Sequence, residues 1–210
     1  MTEQNTISPA SNDLASDGYN CAIAAIDQAN SEDPNIVPLD GRERPAEVVY
    51  SERMTTALTE FCPGASEELR LAARGQHIRR WTIARADYEE GRLGYLKWRT
   101  ALKRYHAKAI GEIMAECGYD QDQVGSTQSL IRKERLKQDA DAQTLEDVIC
   151  LVFLKYYSAD FAAKHDRDKI ISILRKTWGK MSQRGHEAAL SLDLPPAVAA
   201  LVGAALEGAG

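Results

Sequence analysis

One stretch limits what this chain can become. It runs from Thr144 to Tyr157 and reads TLEDVICLVFLKYY, with seven consecutive apolar residues from Val148 to Leu154. It holds neither Pro nor Gly and is long enough for about four helical turns. A helix that is apolar on nearly every side must be enclosed by other elements. The sequence therefore predicts a buried central helix with the remaining helices packed around it. A strand of this composition is disfavoured by its length and its helical neighbours. Glu146 and Asp147 stand immediately before the apolar run. Carboxylates at that position either cap the helix or belong to a site. The spacing Thr144-x-x-Asp147 fits a capping box with Asp in place of Glu.

The rest of the chain reads as helices and loops. Residues 1–17 are rich in Ser, Asn and Asp and are expected to be disordered. Tyr19, Ala22, Ile23 and Ile26 mark one face of a first helix. Pro34, Pro38, Gly41 and Pro45 make residues 31–45 a loop. Pro45 opens a second helix with the stripe Tyr50, Met54, Ala57, Leu58 and Phe61, beside which lie Glu47 and Ser51. A third helix begins near Ser66 and turns Leu69, Ala72, Ala73, Gln76 and His77 inward. After a polar loop from Thr82 to Gly91, a long helix from about Arg92 to Cys117 carries Trp98, Leu102, His106, Ile110 and Ile113 on one face. Gly118 ends it. Further helices follow over about 120–134 and 168–180, near His186, and after Pro195–Pro196. No segment alternates over enough residues for a sheet. The expectation is an all-α fold of seven to nine helices in one domain, residues 18–207.

Composition narrows the class. With 44% hydrophobic and 27% charged residues among 210, the chain is an ordinary globular one. It has no apolar run that would span a membrane and no secretory signal at its polar start. Its four cysteines, Cys21, Cys62, Cys117 and Cys150, form no CxxC pair, so neither a zinc ribbon nor a thioredoxin-type motif is signalled. The reading is a reducing, cytoplasmic compartment. The net charge of −5 hides an asymmetry. Between Arg70 and Lys108 there are eleven Lys/Arg and three acids, and Arg132, Lys133, Arg135 and Lys137 form a second basic cluster. An acidic chain that gathers its positive charge in one region is expected to bind an anion there.

The segments YSERM, LRLAARGQHI, LKRYHAKAIGEIMAECGYD, LIRK and LEDVICLVFL follow one another in an order that resembles the HD superfamily of metal-dependent phosphohydrolases. More narrowly, QHIRRW, GYLKWR, LEDV-CLVFL and KTWGKMS resemble domain of unknown function 4202, over about residues 19–205. The wider resemblance implies an HD-like helical bundle with metal ligands on several helices. The chain departs from that pattern: it has Tyr50 where the first His is expected and Gln76-His77 where His-Asp is expected. Asp147 matches the late aspartate, and His106 a histidine on a corresponding helix.

Two imidazoles and a carboxylate, His77, His106 and Asp147, would suit a divalent ion (Mn, Fe, Co, Ni or Zn) that activates water against a phosphate ester. Glu52 or Glu146 could add a ligand or act as base. Arg79, Arg80 and Arg99 are candidates to hold phosphate, with Tyr50, Gln76 and Lys133 beside them. Trp81 and Trp98 could stack on a base. The plainer readings stand alongside. Asp147 is then a cap, His106 a hydrogen-bonded core histidine, Gln76 and His77 a buried polar network, and Trp98 a core residue. Two functions are therefore expected: an HD-like phosphohydrolase acting on a nucleotide or other small phosphorylated molecule, or a non-catalytic module that binds a nucleotide, cofactor or RNA through the same basic pocket. Lys180–Gln183 and Gln76–Arg80 look like the two signatures of class I tRNA synthetases, but those require a parallel nucleotide-binding sheet that this pattern leaves no room for.

Overall fold

The computed structural model describes residues 16–136 and 138–207. The expected disordered tail, apart from its last two residues, and Lys137 of the second basic cluster lie outside them. The architecture is all-α. Among the described residues there are ten α-helices and one two-stranded hairpin. No helix among them is long and apolar enough to cross a membrane.

The first helix, α1, spans Asp17–Ser31, capped by the Ser16 side chain, and buries Ala22, Ile26 and Ala29. The expected loop that follows contains a short antiparallel hairpin, β1 (Ile36–Leu39) and β2 (Arg42–Pro45). Asp40 and Gly41 close it with φ of 50° and 74°. That is the Asp-Gly chemistry of a tight hairpin turn. Next come α2 (Ala46–Phe61), α3 (Glu67–Arg74) and the long α4 (Gly91–Glu116), then α5 (Gln121–Arg132), which packs along α4.

The predicted central helix is present and starts earlier than its apolar run suggests. It is α6, Ala140–Val152, capped by Asp139, whose side chain accepts from the Asp141 and Ala142 amides. Thr144 therefore lies inside the helix, its hydroxyl bonded to the Ala140 carbonyl, and the Thr144–Asp147 capping box is not formed. The apolar run continues through a π-helical turn, Phe153–Tyr157, into a short α7, Ser158–Ala163. Around α6 pack α2, α3, α5 and the later α9 (Gln183–Leu190). The remaining helices are α8 (Arg167–Trp178) and α10 (Pro196–Glu207), which pack on each other. The core is continuous from Ile26 through Met54, Leu69, Ile110 and Val148 to Leu174.

The cysteines depart from the expectation of a reducing environment. Cys21 on α1 and Cys117, just past the end of α4, form a disulfide across 96 residues of sequence. Cys62 and Cys150 are free. Burial pushes the Cys150 thiol up to about 12, which fits its role as a small core residue. A cross-link that closes so long a loop restricts the unfolded chain by an amount on the order of 4 kcal/mol. Cys117→Ser should therefore lower the urea midpoint clearly in non-reducing buffer and change little in the presence of reductant. Equal midpoints in both buffers for the wild-type chain would show that the bridge does not contribute.

Candidate anion site

The turn after α3 is where the site begins. Gly75 lets it press onto α4: a Cβ there would lie 2.1 Å from Ile110 Cδ1. The turn is pinned at two further points. The Ile78 carbonyl accepts from His106 Nδ1 at 2.8 Å, and the Arg79 amide donates to Asn30 Oδ1 at 3.1 Å. Arg79 takes the left-handed conformation, φ 49°. The turn thereby brings His77 and Arg80 against α2 and α4.

His77 stacks on Tyr50 with ring centroids 3.9 Å apart and an 11° interplanar angle. Its Nδ1 lies 3.4 Å from Glu47 Oε2, and its Nε2 lies 3.4 Å from Arg80 Nη1. A guanidinium can only donate, so Nε2 carries the lone pair and the ring proton sits on Nδ1, facing Glu47. His106 follows the same logic. Its Nδ1 donates to Ile78, and its buried Nε2 has no partner among the described residues. The two imidazole centroids are 6.1 Å apart. Both rings are held neutral. Burial drives His77 well below the usual histidine value, helped by Arg80, His106, Arg99 and Lys133. Burial brings His106 to about 4. Burial also raises Glu47 to about 7, against the pull of Arg80, and raises Tyr50.

Around these rings the cations converge. The Arg80 guanidinium lies over the Trp98 ring, 4.9 Å from its centroid, and the indole N–H donates to the Ile83 carbonyl. Arg99 and Lys103 rise from α4 about two turns and one turn before His106. Lys133, the left-handed cap of α5, reaches the buried Glu146 carboxylate. Lys180 approaches the other Glu146 oxygen at 3.7 Å. Burial alone would raise the Glu146 carboxyl, but Lys133, Lys180 and Arg99 bring it below its ordinary value. Burial lowers Lys133, Lys103 and Arg80. Among the described residues, Arg80, Arg99 and Lys103 form no ion pair with a carboxylate, so the cluster carries more positive than negative charge.

Several expected residues lie elsewhere. Asp147 does not face the histidines. Its Oδ1 accepts from the Ser182 amide at 2.7 Å, its Oδ2 from the Ser182 hydroxyl at 2.5 Å, and Gln143 adds a third bond. It is seated at the start of α9, where a Cβ on Gly185 would come within 2.5 Å of it. Glu52 gives both oxygens to Arg44, at 2.7 and 2.8 Å, which holds its carboxyl below the ordinary value. The Arg79 guanidinium pairs with Glu32. Trp81 is half-buried in the 3-10 turn Arg80–Thr82, and Trp98 is the ring that meets a cation. Gln76 is buried with its Oε1 unpartnered among the described residues. No three His, Cys, Asp or Glu side chains among the described residues group closely enough to hold a metal ion. With Asp147 held by Ser182, the set of His77, His106 and Asp147 that the HD resemblance implies is not gathered at one point among the described residues.

Lys103 and Glu47 join the cluster although no motif marks them, and helical spacing carries the signal for both. Glu47 precedes Tyr50 by three residues and Lys103 precedes His106 by three, so each shares a helix face with a residue already singled out. Two surface concavities lie away from this cluster. One, of about 700 Å³, is rimmed by Glu68, Asp122, Asp139 and Asp141 and has the wrong charge for an anion. The other is on α8, beside Arg175 and Lys176.

The family model described as "Domain of unknown function (DUF4202)" matches residues 20–202. The chain belongs to this family. Comparison with curated proteins and with solved structures returned no match.

The raised Glu47 carboxyl should make stability depend on pH. The folded chain holds its proton more tightly than the unfolded chain does. That favours folding below the ordinary value of 4.5 and is lost as the pH rises through about 7. The stability of the wild-type chain minus that of Glu47→Gln should fall by an amount on the order of 3 kcal/mol from roughly pH 4 to roughly pH 8. Urea unfolding across that range measures it, and a flat difference would place the carboxyl in water.

Proposed function

We propose that this protein binds a phosphorylated small molecule on the cluster formed by Arg80, Arg99, Lys103 and Lys133. The observation that carries the reading is the surplus of half-buried cations. Glu146 answers Lys133 and Lys180, and Glu47, near Arg80, is about half-protonated at pH 7, while Arg80, Arg99 and Lys103 form no ion pair with a carboxylate among the described residues. Positive charges brought together out of water repel one another and lose hydration, a cost that a multiply charged oxyanion reverses. Guanidinium groups supply paired donors suited to phosphate oxygens, and lysines supply point charges.

The reading is one of binding. Metal-dependent hydrolysis of a phosphate ester would require Asp147 to join the histidines, and Asp147 is committed to Ser182. Neutral His77 with Glu47 at its Nδ1 gives the cluster a hydrogen-bonding wall that accepts through Nε2 once Arg80 turns to a ligand.

Calorimetry with inorganic pyrophosphate tests the proposal. Binding should weaken as salt is added. Removing a charge-assisted contact by Arg99→Ala should cost about tenfold or more in affinity. Asp147→Ala should instead lower stability, by about 2 kcal/mol, because it strips the Ser182 amide and hydroxyl of their acceptor, and should leave the affinity within a few-fold. Equal loss of binding from both variants, with both folded, would refute the assignment of Asp147 to structure alone.

A further inference from the structure

The face of α4 that carries the cations continues outward as an aromatic surface. Tyr95, Trp98, Arg99, Leu102, Lys103 and His106 recur at three- and four-residue intervals and so share one side of the helix. Its inner end is buried and its outer end is open: Leu102 and His106 are core residues, whereas Tyr95 is 43% exposed. The Tyr95 and Trp98 rings lie 5.8 Å apart. Trp98 is fixed at its N–H by Ile83, and Arg80 occupies a place over its ring. Tyr95 reaches Arg99 through its hydroxyl, at 3.4 Å. On the same two turns Leu93 is 64% and Leu96 49% exposed. Exposed apolar residues scattered singly need no explanation, but three within four positions, beside unpaired cations, do.

A ligand that satisfies both halves of this face carries a flat, weakly polar ring at one end and anionic oxygens at the other. Resting on the phosphate-binding reading above, the geometry points to a nucleoside phosphate, its base on Tyr95 and its phosphate at Arg99, Lys103 and Lys133. The helix sets the separation. At about 1.5 Å rise per residue, Arg99 stands about 6 Å and Lys103 about 12 Å along the axis from Tyr95, which is the reach of one nucleotide. Base stacking on an open aromatic face is tolerant of base identity, so the site reads the presence of a base more than its kind. A lipid surface would also bring anions and apolar contact together. It would need its cations as exposed as Leu93, and Lys133, with a side chain only 13% exposed, is not.

The test compares each of the four ribonucleoside 5′-monophosphates with ribose 5-phosphate, which has the same charged group and no base. Titrations use the full chain, Tyr95→Ala and Tyr95→Phe. Tyr95 is exposed, so its variants are expected to fold, and circular dichroism confirms that they have. At least one nucleotide should bind the wild-type chain about tenfold more tightly than ribose 5-phosphate. Tyr95→Ala should bring nucleotide affinity down to that of ribose 5-phosphate for the same variant, and Tyr95→Phe, which keeps the ring, should restore the difference. Equal affinity for the nucleotides and ribose 5-phosphate in the wild-type chain overturns the nucleoside assignment and leaves phosphate binding standing. So does an advantage that survives Tyr95→Ala. Absence of binding by every phosphate overturns both. Sedimentation with phosphatidylserine vesicles, lost in Leu93→Asp, without nucleotide binding would assign the face to a membrane surface and overturn the proposal.

Discussion

A carboxylate that is 3% exposed keeps its charge only if cations come to it. Glu146 on α6 is that group, and much of the site's arrangement follows from it. Lys133 reaches it from the end of α5, Lys180 from the end of α8 and its following turn. Lys133 does so from a left-handed conformation, φ 60°, and Arg135 two residues later has φ 58°. Left-handed backbone at residues with a Cβ costs roughly 1 kcal/mol each. Two such residues within three positions are held only where the surroundings determine them. At Lys133 the backbone is fixed by its place as the cap of α5, where its amide meets the Leu130 and Ser129 carbonyls. The same turn sets its ammonium group beside the buried charge.

Neutralising Glu146 does not neutralise the site. Arg99 and Lys103 approach from α4, and Arg80 from the turn pressed against it. The two histidines contribute no charge, because burial among these cations keeps both rings unprotonated. Arg80 finds partial compensation on the Trp98 ring and near Glu47, but an aromatic face and a carboxyl that is half-protonated near pH 7 are weak substitutes for a full anion. The arrangement persists because Arg99 and Lys103 remain partly in water. Its cations lack carboxylate partners, which distinguishes it from the saturated contacts at Asp147 and Glu52.

The fold was legible because burial and helical periodicity are written directly in the residue order. The run Val148–Leu154 announces an enclosed helix, and Met54, Leu58, Ile110 and Ile26 are core residues as their spacing requires. The convergence of His77 with His106 and Arg80 was legible too, since each lies on an inward stripe or next to one. What could not be read is which partner a polar side chain meets across the fold. Glu52 is taken by Arg44 because the hairpin folds back beside α2, and the hairpin itself depends on two residues, Asp40 and Gly41, inside a proline-rich stretch that reads as loop. Arg79 differs from Arg80 by one position, yet its left-handed backbone turns it toward Glu32 on the far side. The Cys21–Cys117 bridge joins residues 96 apart and leaves no local mark.

The adjacent pair Glu146 and Asp147 shows why a motif read by position can miss by one residue. Both precede the same apolar run, both are buried, and either could be the carboxylate of a site. Consecutive side chains on a helix point about 100° apart, so they cannot serve the same neighbour. The division between them is made elsewhere, by Gly185. Its lack of a Cβ opens the start of α9 to the Asp147 oxygens, and Ser182 supplies two donors there. With Asp147 so engaged, Glu146 is left to face the other way, into Lys133, Lys180 and the field of Arg99. The resemblance to metal-dependent hydrolases pointed to Asp147, the residue at the matching position. The carboxylate that stands among the cations is its neighbour, and its oxygens are taken by Lys133 and Lys180, so its work is to hold positive charge in place.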